Sequence, residues 1–179
     1  MKKFRIGSLF VLAALLFFGC ALSADVPSEP PQMTVRSQAG ESGADQFGWE
    51  WEIMKRRSEV GSGIIADSVD PLLHEYDPIP VLTEEKLTFV FPERMEPLGV
   101  DVDFYPLNEA GEADRDAVHH MIAERFGERG GDGSWGVVLR GEWGLHAQDG
   151  IFVVEATWNK PRYRGRATYA FAVTPRAVG

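Results

Sequence analysis

Four histidines, one cysteine and several closely spaced carboxylates are the side chains here whose types and spacing offer chemistry. A metal site would draw on His74, with Glu75 and Asp77 beside it, on His146, and on one of the adjacent pair His119 and His120. Both of that pair cannot serve one ion from a regular helix, where neighbours diverge by about 100°. Glu84 with Glu85, and Asp101 with Asp103, are the residue types of a glycosidase if folding holds them about 5 to 10 Å apart. Among 27 acidic residues such pairs also arise by chance, and Asp101 and Asp103 equally suit the solvated face of a strand. Asp101, Asp103, Asp114 and Asp116 bring oxygen ligands for calcium, and residues 108–116 add Glu109, Gly111 and Glu112, without EF-hand spacing. No Gly-x-Ser-x-Gly elbow, P-loop or His-Glu-x-x-His occurs. The reading is of no catalytic residue, no metal ligand set and no cofactor. An extracytoplasmic hydrolase or metal enzyme built from the scattered histidines and carboxylates is the alternative.

The single cysteine excludes an intrachain disulfide and a cysteine-based zinc site. Cys20 follows Gly19 at the end of an apolar run, residues 6–18, that is headed by Lys2, Lys3 and Arg5. This is the layout of a signal peptide, and thirteen residues fall short of the roughly 20 needed to span a bilayer. A small residue and then a cysteine at the end of such a run resembles a bacterial lipobox, although Phe17 stands where that family usually carries an aliphatic residue, with Leu16 one place further back. The resemblance implies a diacylglycerol on the Cys20 thiol, cleavage before it, and tethering at the outer face of the membrane. About 0.8 kcal/mol per buried methylene makes two acyl chains a stable anchor. A cut by the ordinary peptidase near Ala21-Leu22-Ser23, releasing a secreted protein, and an incidental apolar cysteine are the competing readings.

The chain has 179 residues and a formal charge of −9, with 44% hydrophobic and 11% aromatic residues. It can build one ordinary core, so disorder and fibrous folds are poor readings, and its acidity argues against nucleic acid as a partner. Residues 1–19 hold three basic and no acidic side chains, so from Cys20 onward 15 basic face 27 acidic ones, a net −12. Residues 20–46, with Pro27, Pro30 and Pro31 among Ser, Gly and acids, read as a lipidated N-terminus and flexible tether. At about 5 to 6 Å times the square root of length, that tether reaches some 25 to 30 Å.

The elements that must position any site follow from Phe47 onward. Phe47, Trp49, Trp51 and Ile53 alternate with small or acidic residues, placing four large side chains on one face of a strand. The same period returns in Leu87, Phe89 and Phe91, in Val100, Val102 and Phe104, in Trp135, Val137 and Leu139, in Phe152, Val154, Ala156 and Trp158, and in Ala167, Tyr169, Phe171 and Val173. Residues 61–67 form a weaker strand. Asp149 and Gly150 read as a hairpin turn joining two of these strands, and residues 159–165 as a basic bend. Residues 114–126 break the pattern: Ala117, Val118, Met121, Ile122 and Phe126 recur at helical spacing before Gly127, Gly130 and Gly131, so one short helix is predicted there. The whole predicts a mainly β protein, an antiparallel β-sandwich of about seven strands with one helix, over residues 47–179.

A strand ending in Thr157-Trp158, a polar loop, and a last strand carrying Tyr169, Phe171 and Val173 at alternate positions is similar to the C-terminal hairpin of small Ig-like lipoproteins of Gram-positive bacteria. That resemblance covers about 25 residues, implies an Ig-like fold and carries over no catalytic residue. Trp49, Trp51, Trp135 and Trp158 fall in phase with apolar faces and are read as core, whereas Trp143, flanked by Gly141, Glu142 and Gly144, is read as exposed. Lys160, Arg162, Tyr163, Arg164 and Arg166 form the one dense basic stretch beyond the signal, and with Trp143 they make a candidate surface for an anionic envelope polymer or protein. The expected function is a lipid-anchored, non-catalytic binding or structural module of the cell envelope. A small ligand-capturing lipoprotein serving a transporter is a further alternative, against which the chain's length counts.

Overall fold

A computed structural model describes residues 26–55, 58–65, 70–82, 85–125, 134–138 and 148–176. Among the described residues are twelve strands: β1 (Thr34–Ser37), β2 (Gly40–Gly43), β3 (Asp45–Lys55), β4 (Ser58–Ile65), β5 (Ile79–Val81), β6 (Lys86–Val90), β7 (Gly99–Pro106), β8 (His119–Ile122), β9 (Glu124–Arg125), β10 (Trp135–Val138), β11 (Gly150–Lys160) and β12 (Tyr163–Pro175). They form two sheets, one ordered β2-β1-β6-β10-β9, the other β4-β3-β12-β11-β7-β8. Neighbours run antiparallel, except that β5 lies parallel to the end of β12. The β-sandwich expected from the alternation is present, with more strands than the seven it suggested. The extra ones are short or polar: β2, Gly-Glu-Ser-Gly, is exposed throughout and is held to β1 by the backbone ladder and the Arg36–Glu41 ion pair, so no side-chain periodicity announces it.

The inner faces meet in one core. Val35, Leu87, Phe89 and Val137 from the first sheet pack with Trp51, Phe104, Phe152, Val154, Trp158, Tyr169 and Phe171 from the second. Phe152 and Phe171 stack at 5.2 Å, and Phe89 meets Phe171 across the sheets at 6.1 Å. Each such buried side chain contributes about 1.5 to 3 kcal/mol, several times the value of an exposed ion pair. The alternation seen in the sequence is therefore what holds the sheets together.

Three expectations are corrected. First, the folded domain begins well before Phe47. Met33 and Val35 are buried, and Pro31 and Pro27 accept hydrogen bonds from Tyr169 Oη at 2.6 Å and Trp51 Nε1 at 2.9 Å. Proline lacks an N–H but keeps its carbonyl, so a proline-rich segment suits the work of receiving buried donors. Second, the helix predicted over residues 114–126 is absent from the described part, which ends at Arg125. A single 3₁₀ turn at Arg115–Ala117, capped by Asp114 accepting from Asp116 N, gives way at an extended Val118 to β8 and β9. β8 lies on the edge of the second sheet, with Met121 turned into the core and Ile122 87% exposed. Val, Ile and His are weak helix formers, and the open edge of β7 offers their backbone a full ladder instead. Third, Asp149 and Gly150 do not close a hairpin between two neighbours, because β10 belongs to the first sheet and β11 to the second. A Cβ on Gly150 would overlap the Phe104 ring, so glycine serves close approach there.

Candidate functional site

The long hairpin β11–β12 separates the residues of the predicted basic surface. Both strands run through the expected bend to Lys160 and Tyr163, leaving only Pro161 and Arg162 as the turn. Tyr163 is 8% exposed, faces the core and stacks on Trp51 at 5.0 Å, with its hydroxyl donating to the Arg94 carbonyl at 3.4 Å. Burial pushes that phenol above its ordinary pKa. Arg164 and Arg166 point to the outer face, directly opposite Glu52 and Glu50 of β3, and pair with them, the latter at 3.2 Å. Two of the positive charges are thus paired across strands at exposed positions, while the Tyr163 ring is withdrawn into the core. Lys160 is half-buried and Arg162 exposed in the turn. Cys20, Trp143 and His146 lie outside the described residues.

The other chemical candidates are dispersed too. His119 faces Phe104 at 6.3 Å while His120 turns outward to Asp103 at 2.6 Å, so alternation along a strand divides the pair. Glu84 is outside the described residues. Glu85 is 1% exposed and accepts from the backbone N–H of Gln38 and, at 2.7 Å, of Leu82, a structural clamp rather than an acid facing solvent. In the 108–116 loop, Asn108 Oδ1 accepts from the N–H groups of Ala110 and Glu112 at 2.9 and 3.1 Å, and the Asp114 carboxylate accepts from Asp116 N. Of the oxygens offered for calcium, that of Asp114 holds the turn itself. Among the described residues no three His, Cys, Asp or Glu come together in metal-binding reach.

A different site emerges on the outer face of the second sheet. The register of β3 against β12 shifts between Thr168 and Tyr169, where Gly48 and Gln46 oppose successive residues. The extra residue is Phe47, and this bulge sends its ring to the outer face, away from Trp49 and Trp51. There it joins Ile151, Ala170 and Ala172 in a second apolar cluster with Tyr76, Leu72, Leu107 and Val153. The covering segment, residues 70–78, is pinned at several points. Asp70 caps the 3₁₀ turn Pro71–Leu73 by accepting from Leu72 N at 3.0 Å, and it pairs with Arg115. Tyr76 Oη donates to Pro71 O at 2.7 Å, and His74 Nε2 approaches Asp45 at 3.4 Å. The rings of Phe47, His74 and Tyr76 meet edge to face with centroids 4.9 to 6.1 Å apart.

Between this segment and the 107–115 loop lies a groove of about 720 Å³, floored by Ile151 and Ala172 and rimmed by Glu75, Glu112 and Asp149. Leu73, 78% exposed, stands at its edge. The Arg115 hydrogen bond, with that of Leu72 N, holds the Asp70 carboxyl below its ordinary pKa. Burial, and then the charges of Asp45 and Asp70, push the Tyr76 phenol above its own. Among the described lining residues His74 is the one histidine of the sequence candidates, and no described Ser, Thr or Cys joins it there. The sequence reading named His74 and Glu75 but missed the groove. A signal existed in the outward positions of β12, which change from Arg164 and Arg166 to Ala170 and Ala172 just where another layer covers the sheet. No family model, no curated protein and no solved structure matches this chain.

Proposed function

We propose that the chain is an exported lipoprotein, tethered through a diacylglycerol on Cys20, whose β-sandwich acts as a non-catalytic binding module at the outer face of the cell membrane. The observation that supports the binding role is the concave, apolar-floored groove between residues 70–78 and the 107–115 loop, set on a sheet made rigid by eleven successive β11–β12 pairs. Its size falls within the 300 to 1,000 Å³ range usual for small-molecule sites. The anchoring part rests on Lys2, Lys3, Arg5, the apolar run 6–18 and the Gly19-Cys20 step. No helix among the described residues is long and apolar enough to cross a membrane. The groove is the place proposed for a ligand; Arg164 and Arg166 of the basic hairpin are engaged by Glu52 and Glu50. Cys20→Ala tests the anchor: the protein leaves the membrane fraction or accumulates as an uncleaved precursor. Unchanged fractionation and processing would refute lipidation.

A further inference from the structure

We infer that the groove takes a small organic cation with an apolar body, of the aryl- or alkylamine class. The inference deepens the binding-module reading and rests on it. Ile151 and Ala172 at the floor, with Leu107 and Tyr76 on the walls, present carbon to the ligand's body. Burial of that body supplies attraction in proportion to area, without preference for charge. The rim decides the charge. Glu75, Glu112 and Asp149 are carboxylates of the lining, while the one lining guanidinium, Arg115, is already bound to Asp70. Among the described residues no cation pairs with any of the three. Asp149 does accept from Thr174 Oγ1 at 2.7 Å, which fixes its carboxylate without neutralising it. Asp45, 3.4 Å from His74 Nε2, adds to the same field, and after burial its charge helps push the Tyr76 phenol up, the sign expected of a negative site. An anionic ligand would meet repulsion from all of these groups, and a neutral one would forgo the attraction.

The experiment uses the full chain in detergent micelles, followed by amide NMR during titration with 4-phenylbutylamine, 4-phenylbutan-1-ol and 4-phenylbutanoate. The amine is expected to shift the amides of Leu107, Ile151 and Ala172 saturably, and to bind about three- to tenfold more tightly than the alcohol, the range that two or three exposed charge pairs supply. The butanoate should bind more weakly than either. The double variant Glu75→Gln with Glu112→Gln, both at exposed positions, should keep the native spectrum and lose most of the amine's advantage, as should added salt. If the alcohol or the carboxylate binds as tightly as the amine, or if the double variant retains the full preference, the cation inference is overturned while the groove stands as a binding site. If no probe shifts the groove amides, the binding reading of this groove falls with it. Neither result bears on anchoring, which Cys20→Ala tests separately.

Discussion

Replacing Glu85 by glutamine alters one atom's chemistry and almost no volume, and the architecture around this residue makes the outcome calculable. Its two carboxylate oxygens accept from Gln38 N, just past β1, and from Leu82 N, just past β5. Both donors have left their ladders and would be orphaned otherwise. A glutamine side chain offers one acceptor and one donor, so one of the two backbone N–H groups must face another N–H. The loss comprises a charge-assisted hydrogen bond, worth about 1.5 to 3 kcal/mol, and a part-buried donor left unsatisfied, at the lower end of about 1 to 3 kcal/mol. Some return of charge-desolvation energy offsets these terms, so we expect a net destabilisation of about 2 to 4 kcal/mol. At about 2 to 4 °C per kcal/mol for a domain of this size, Tm falls by about 4 to 16 °C. Urea denaturation gives the free energy, and hydrogen exchange at Gln38 and Leu82 locates it. Glu93→Gln, at a position almost fully exposed, should stay within about 0.5 kcal/mol. A Glu85→Gln cost no larger than that control, or unchanged protection at both amides, would refute the clamp.

Other perturbations test the remaining architecture. Gly165→Ala places a Cβ against the Glu50 carbonyl oxygen and 2.7 Å from Trp51 Cε3; overpacking against backbone should cost about 1 to 3 kcal/mol in urea denaturation, and a neutral result would contradict the β3–β12 register. Tyr169→Phe removes the buried donor to Pro31 and should cost about 1 to 3 kcal/mol, whereas a chain beginning at Phe47 should fail to show a cooperative unfolding transition. The Asp70 carboxyl titrates below its ordinary 3.8 in the folded protein, so the stability it contributes is present above that pH and is lost as pH falls through the lower folded value. Exchange at Leu72 N should therefore accelerate in acid relative to pH 5 in the native chain, and Asp70→Asn should abolish that extra pH dependence; identical pH profiles for the two proteins would remove the Asp70 contacts as the pin of residues 70–78.

The alternation of large apolar residues is a local property, because successive side chains of a strand must point to opposite sides. For that reason Trp51, Phe89, Phe104, Phe152, Trp158 and Phe171 were legible as core, and a two-sheet sandwich followed from needing to bury them. The signal-like run and Cys20 are equally local, and they support the proposed location from sequence alone. What the tertiary structure decided depends on partners distant in the chain. Tyr163 and Arg164 are neighbours in sequence, yet β-alternation sends one onto Trp51 and the other to Glu52, on opposite faces of the sheet. Glu85 looked like a candidate acid until the ends of β1 and β5 supplied its two donors. Residues 117–122 fit a helix until the free edge of β7 offered their backbone a ladder. Phe47 kept the period of Trp49 and Trp51, but a one-residue register shift against β12 moved it to the opposite face, where it packs against His74 and Tyr76 of the groove. Periodicity reports which residues share a face of their own strand; which strand lies opposite, and what then covers that face, is set by pairings from about fifteen to more than a hundred residues apart.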